Sequence, residues 1–302
     1  MDDVVEAMKD VDVLFIGETH NDPVVHDLQL ALMHRAHRLW QNGDGKPVAL
    51  SMEMFARDSQ NVLGEYLDDL ISEKQFLAAG QPWDNYETDY RPLVEFAKEH
   101  ELDVIAANAP RRYANRVSRL GRESLYDLSE IARSFLAPLP YGEASEKYRE
   151  QWEKAMEEAR QEMMDRKMVG ETEHEMAMNE HAEKAGDEEQ EAMPAPGGMH
   201  DTATMLDAQS LWDATMAYSI AEYQMRNPGS LVVHVVGGFH VATGTGIPEH
   251  LIEYRPRTRV LIVSVEPAED LGAFDAESHA NLGDFVILSD ESLPRTFDAL
   301  EQ

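Results

Sequence analysis

The sequence contains no cysteine. That excludes disulfides, thiolate metal ligation and thiol nucleophiles, and leaves the redox compartment open. Lysine is scarce: 8 Lys and 18 Arg stand against 58 Asp and Glu, for a formal net charge of −32. A surface this negative repels nucleic-acid phosphates and anionic headgroups, which are normally engaged through Lys and Arg, so no nucleic-acid partner is expected. No run reaches the roughly 18 apolar residues of a membrane-spanning helix, so no transmembrane segment is expected. The opening Met1-Asp2-Asp3 has neither the basic nor the apolar stretch of a leader peptide, so no address is expected to be readable from this stretch.

What is present begins with the acid itself. Abundant carboxylates, few lysines and a 43% hydrophobic composition read as adaptation to a high-salt environment, where hydrated acidic side chains keep a protein dispersed. Most of the charge therefore describes the solvent. A length of 302 residues accommodates two domains or a single α/β domain with an insertion.

Six apolar runs of strand length recur, at residues 11–17, 47–53, 102–107, 231–237, 259–265 and 284–288. Their continuous Val, Ile and Leu content, without polar alternation, suits a sheet buried on both faces. Between them, Val25, Leu28 and Leu32 have helical spacing, as do Leu93, Phe96, Ala97 and His100. This alternation predicts an α/β fold: a mostly parallel central sheet of about six strands flanked by helices, with a helical insertion. The boundaries expected are one α/β core from residues 1–142 and 201–302, and an acidic, Met-rich insertion at 143–200. Between Glu143 and Glu191 there are 17 acidic and 7 basic residues, and 9 of the 16 methionines lie between Met156 and Met205. The next helix, 206–225, carries Leu211, Ala214, Tyr218, Ala221 and Met225 on one stripe and Gln209, Asp213 and Met216 on the other, so it is expected to border a site.

In open parallel sheets ligands bind beyond the carboxyl ends of the strands. The first run leads into Gly17-Glu18-Thr19-His20, the second holds Glu53, the third leads to Pro110-Arg111-Arg112, and the fourth to Gly237-Gly238-Phe239-His240. Two imidazoles and a carboxylate from different strands make an open site for Zn, Mn or Fe, so His20, Glu53 and His240 are the metal-ligand candidates. Glu18, two residues before His20, is placed to activate a metal-bound water or to orient the imidazole. Arg111 has the donor fork to hold a carboxylate or oxyanion, and Asp213 is placed to position substrate. His234, inside a strand, reads as a hydrogen-bonded core histidine, and His34, His37 and His100 read as ordinary helix-face residues. In the insertion His174, Met178 and His181 share a helical face, the residue types that bind copper or haem iron; an acidic solvated helix packed through its methionines is the competing reading. A third reading follows from that face: the insertion as a copper or iron scavenger on an inert scaffold.

The segments Phe15-Ile16-Gly17-Glu18-Thr19-His20-Asn21-Asp22, Ser51-Met52-Glu53-Met54-Phe55, Ile105-Ala106-Ala107-Asn108-Ala109-Pro110-Arg111-Arg112, Ala208-Gln209 through Asp213 and Met216-Ala217, and Gly237 to His240 followed by Gly246-Ile247-Pro248 resemble the ChaN-like haem-binding uptake family. That family belongs to a wider superfamily with Tiki and TraB-type metalloproteases and erythromycin esterases. The resemblance implies haem as cofactor, a cell-envelope location, a homodimer, and an axial tyrosine at the dimer surface, for which Tyr141 and Tyr148 are the nearest candidates. A lipid-anchoring cysteine, usual in the family, is absent from this chain. The paired Gly-x-x-His motifs with an intervening Glu also resemble the Tiki-type metal site, which implies the same role for His20, Glu53 and His240. Two functions are therefore expected to compete: a haem- or iron-handling binding protein, and a metal-dependent hydrolase acting on a small-molecule substrate.

Overall fold

All six apolar runs enter one sheet. The computed structural model describes residues 1–41, 43, 47–177 and 202–297. The strands are β1 (Val13–Glu18), β2 (Val48–Ala56), β3 (Asp103–Asn108), β4 (Leu231–Gly237), β5 (Val260–Ala268) and β6 (Phe285–Asp290). Every pairing is parallel, in the spatial order β3-β2-β4-β1-β5-β6. The expected α/β architecture is the one observed. Helix α1 (Asp2–Met8) precedes β1, and the crossovers that parallel strands need are helical: α2 (Pro23–Gln41), α3 (Gln60–Leu67), α4 (Glu73–Gly80), α5 (Arg91–Glu99), α6 (Arg111–Leu120), α7 (Glu130–Arg133), α8 (Glu146–Ala177), α9 (Thr202–Arg226), α10 (Ile247–Tyr254) and α11 (Ala276–His279).

Successive side chains of a strand leave opposite faces, so each central strand feeds two cores. Leu14 and Ile16 of β1, Leu50 and Met52 of β2, and Val233 and Val235 of β4 pack with Leu32 and Met33 of α2 and Leu93 of α5. Val13, Phe15, Ala49, Val232 and Val236 pack on the opposite face with Met216, Ala217 and Ile220 of α9 and with Ile247 and Leu251 of α10. Helix α9 is consequently buried on two sides: Leu211 and Ala214, on its apolar stripe, pack instead with Ala114 and Val117 of α6. Met225, assigned to that stripe by spacing, is exposed in the last turn of the helix. The first turns of α8 join the body, with Tyr148 and Trp152 packed on Leu206 of α9.

The topology places β4 between β1 and β2. Val235 of β4 is level with Ile16 of β1 and with Met52 of β2, so the three strand ends finish side by side. Pairing of β2 with β3 slips between Met52 and Ala56. Such irregularities re-aim side chains, and this one spans Glu53. Beyond β4 the chain turns back in a short 3-10 helix, Gly238–His240. Glycine at position 17 eases that return, since a Cβ there would stand 3.0 Å from the Gly238 Cα.

Phe15 lies fully buried on the central strand, its ring edge-on to His234 at 5.7 Å. Phe15→Ala is expected to destabilise the protein by about 3–5 kcal/mol, the range for emptying a buried phenyl site. Equilibrium urea unfolding would measure it, and a loss under about 1 kcal/mol would show that this face collapses around the cavity.

Candidate functional site

Five ionisable side chains converge where β1, β2 and β4 end. Glu18 closes β1 and is fully enclosed, and His20 follows it in the loop before α2. Glu53 comes from β2, His240 from the 3-10 turn after β4, and Asp213 from α9. The structure thus brings together five of the residues singled out by sequence. Arg111 is not among them: it opens α6 as an exposed residue, and among the described residues no hydrogen bond or ion pair joins it to the group.

The group is built from two carboxylate–imidazole pairs with Glu53 between. His20 Nδ1 lies 2.7 Å from Glu18 Oε1. His240 Nδ1 lies 2.5 Å from Asp213 Oδ1, and its Nε2 lies 3.4 Å from Glu53 Oε1. The other Glu53 oxygen accepts the Gly237 backbone N–H at 2.7 Å. Gly237 favours this closeness, because a Cβ there would crowd the His20 ring at 3.0 Å. Gln209, one turn before Asp213, reaches His240 Nδ1 at 3.3 Å.

A second layer holds Glu18 and His20, and sequence reasoning missed it. Tyr90 donates to Glu18 Oε1 at 2.5 Å, and Gln29 donates to Glu18 Oε2. The His20 carbonyl faces His26 Nε2 at 3.1 Å and accepts from Asn85 Nδ2 at 3.4 Å. Asn85 also donates to Asp89 at 2.8 Å, and the Trp83 ring stands edge-on to His20 at 4.9 Å. One signal was available: Gln29 sits between Val25 and Leu32 on the buried stripe of α2, where a carboxamide is costly unless it has a partner. Tyr90, Asn85 and Asp89 lie some seventy residues from Glu18 and carry no spacing that announces the contact.

Electrostatics follow from burial without a neighbouring cation. Among the described residues no Lys or Arg contacts Glu18, Glu53 or Asp213, so the imidazoles must supply the positive charge. Burial alone would push the Glu53 carboxyl up, but the charge and hydrogen bond of His240, then His20 and the Gly237 N–H, bring it to about 2. Burial pulls His240 down, yet the charges of Glu53 and Asp213 and their hydrogen bonds raise it to about 10. Burial is likewise outweighed at Glu18, held low by the hydrogen bond and charge of His20, and at His20, held high by Glu18 and then Glu53. His234 shows the opposite result. Burial with no carboxylate in contact drives it to about 3, and it sits neutral in the core with Nδ1 2.8 Å from the Ser51 hydroxyl.

This arrangement stores protons, and His20 is its outlet: 38% of the His20 side chain is exposed, against 10% for His240. With Nδ1 committed to Glu18, Nε2 is the atom left to take or give a proton. The separation of Glu53 and His240 is close to the roughly 3.4 Å between two atoms that share a tetrahedral ion through bonds of about 2.1 Å. His20 does not complete the set, however, and among the described residues no group of three His, Asp or Glu side chains is arranged to hold a metal ion.

The remaining expected residues lie elsewhere. Tyr141 is buried and donates to the Asp207 carbonyl at 2.8 Å. Tyr148 is buried beside Phe239, at the His240 side of the cluster, and burial together with Asp213 pushes its phenol well up. Neither presents a hydroxyl at an open surface. His174 falls within α8, and Met178 and His181 lie outside the described residues.

The buried charges make stability depend on pH in metal-free protein. His240, raised to about 10, contributes stability that is complete below its ordinary value near 6.5 and is lost as pH rises through about 10. Glu53, lowered to about 2, contributes stability present above about 4.5 and lost as pH falls towards 2. Chemical unfolding of wild type and His240→Gln across pH 5 to 11 is expected to show a gap that narrows above about pH 9. A constant gap would show that the pair does not hold its charges.

Comparison with known proteins bears on the fold and the family. A family model described as "Haem-binding uptake, Tiki superfamily, ChaN" matches residues 4–251. Among solved structures, ChaN of Campylobacter jejuni, described with cofacial haem binding, superposes with a TM-score of 0.59 at 15% identity, covering 94% of this chain and 89% of that one. The type III effector HopBA1 gives 0.45 at 11% identity, covering 96% and 92%, and a mutant erythromycin esterase EreC in its open conformation gives 0.46 at 11%, covering 88% and 72%. The latter two scores are too low to carry an argument, and no curated protein sequence matches the chain. The match over residues 4–251, far more than half of the chain, identifies this protein as a member of the ChaN family of haem-binding uptake proteins within the Tiki superfamily.

Proposed function

We propose that this chain is a haem-handling protein that binds the macrocycle on an open surface through Tyr126. Membership of a haem-binding family supports the ligand, and one observation of the structure supports the residue. Of the ten tyrosines, Tyr126 alone is exposed, at 46%. A phenolate can serve as an axial ligand to haem iron only where a flat tetrapyrrole can approach it. Tyr126 lies on the 3-10 segment Arg122–Asp127, at a shallow cleft shared with Arg122, Glu123, Leu139, Pro140 and Tyr141. Leu139 and Pro140 in the cleft give the macrocycle apolar contact, while Arg122 is already paired with Asp207 and stacked on Tyr141. The cleft does not enclose a macrocycle. The far side of the haem would be covered by a second copy of the chain, so binding and dimerisation are coupled in this reading.

Hemin titration tests it. Wild type is expected to shift the Soret band and show phenolate charge-transfer absorption, while Tyr126→Phe loses both and Tyr141→Phe and Tyr148→Phe retain them. A spectrum matching free hemin would sink the reading, and equal spectra for wild type and Tyr126→Phe would remove Tyr126 from it.

A second reading, hydrolysis at the buried cluster, is favoured by the solvent-facing His20 with its Nδ1 committed to Glu18. There His20, once its Nε2 proton has been released to solvent, acts as general base on a water, while Glu53 and the charged His240 hold the developing charges. Among the described residues no Lys or Arg contacts the carboxylates of the cluster, so a neutral ester or amide suits it better than an anionic substrate. Screening ester and amide substrates is expected to find an activity that His20→Ala lowers by about 10²–10⁴-fold. Elemental analysis of chelator-free protein, repeated on Glu53→Gln and His240→Ala, decides whether an ion joins Glu53 and His240.

A further inference from the structure

Away from the cluster, on the outer side of α2 and α5, three histidines that sequence spacing left as ordinary helix-face residues gather around one phenyl ring. Phe96 is 5% exposed. The rings of His34 and His100 each stand 4.2 Å from it, and that of His37 stands 5.7 Å away. His37 and His100 face one another at 4.6 Å with their planes 80° apart. They belong to different helical segments, so tertiary packing of α2 on α5 creates the pair. His100 Nδ1 lies 2.9 Å from the Phe96 carbonyl oxygen. A carbonyl oxygen only accepts, so Nδ1 carries the proton and the lone pair is on Nε2. Donation of one ring N–H to a backbone carbonyl is the arrangement that fixes the tautomer of metal-bound histidines.

We propose that His37 and His100 form a surface site for a borderline divalent transition metal of the Cu²⁺, Ni²⁺ or Zn²⁺ class, with water in the remaining positions. Two neutral imidazoles from different segments form a chelate, and imidazole selects these ions over Ca²⁺ and Mg²⁺, which prefer all-oxygen surroundings. The absence of thiolate from the chain leaves imidazole as its principal ligand for such ions. The net charge of −32 concentrates cations at the surface. Among the described residues no set of three carboxylate or imidazole side chains is arranged to hold an ion, so this is a two-ligand site open to exchange. Its affinity follows the Irving–Williams order, with copper the tightest of the series.

Copper(II) chloride is the probe. Titration of the full chain at pH 7.5, followed by electron paramagnetic resonance, is expected to show one equivalent with hyperfine structure from two imidazole nitrogens. His37→Gln and His100→Gln are each expected to weaken that equivalent by about 100-fold or more, because the chelate becomes a single imidazole. Copper at the buried cluster would survive both substitutions, so the difference between wild type and variants isolates this site. Wild-type NMR supplies a measurement that needs no variant: substoichiometric Cu²⁺ should broaden the ring resonances of His37 and His100 first. Copper binding unchanged by both substitutions, or broadening that spares the two rings, overturns the proposal.

Discussion

Three carboxylates and two imidazoles share the end of a buried parallel sheet with no lysine or arginine among them, and that constraint governs the local structure. A carboxylate shut away from water is costly unless a positive charge or several hydrogen bonds face it. Glu53 meets the requirement with His240 and the Gly237 N–H, Glu18 with His20, Tyr90 and Gln29, and Asp213 with His240. Each neighbouring feature serves these contacts: the return of the chain over Gly17, the bare Cα of Gly237, and the slip in pairing at the end of β2. The helices contribute in the same way. α2 delivers Gln29 and His26, α9 delivers Asp213 and Gln209, and each is pinned to its own face of the sheet by the apolar residues beside them.

The two proposed activities occupy different places, and their chemistry explains the separation. Haem needs a donor beside an open apolar surface, and at the cluster only the His20 ring is partly exposed. Tyr126 has an exposed phenol beside Leu139 and Pro140, and the charged residues there, Arg122 and Glu123, are not enclosed as the cluster is. The cluster instead keeps its protons behind His20, the more exposed of its two imidazoles. A chain can therefore hold a tetrapyrrole on its outside and retain a proton-transfer centre at the strand ends without either compromising the other. Tyr148 and Phe239 close the α8 side of that centre, so the first turns of the acidic segment belong energetically to the body of the protein.

The fold was legible because burial on both faces leaves a simple mark: uninterrupted Val, Ile and Leu runs at regular intervals, with helical spacing between them. The positions of His20, Glu53 and His240 at strand ends were legible for the same reason, since the end of an apolar run is visible in one dimension. Asp213 and Gln209 were legible as a polar face on an otherwise apolar helix. What the runs do not encode is which strand lies beside which. Arg111 follows a strand just as His20 does, yet β3 lies at the sheet edge and its end is remote from the gap between β1 and β2. Tyr90 and Asn85 join the site through the packing of a short helical turn, and His37 meets His100 through the packing of α2 on α5.

The sequence by itself determined the α/β class, the six strands, the absence of thiol chemistry, and the set of strand-end residues from which a site could be drawn. Tertiary structure alone decided that β4 enters between β1 and β2. That step brings Gly237 and His240 from more than two hundred residues away to the side of Glu18 and His20, and turns separate polar residues into one shared store of charge. The physical reason is that periodicity records which face of an element is buried, a local property, whereas pairing order depends on the summed packing of distant elements. It also decided which phenol among ten remained in solvent, because exposure of an aromatic residue depends on what the rest of the chain leaves uncovered.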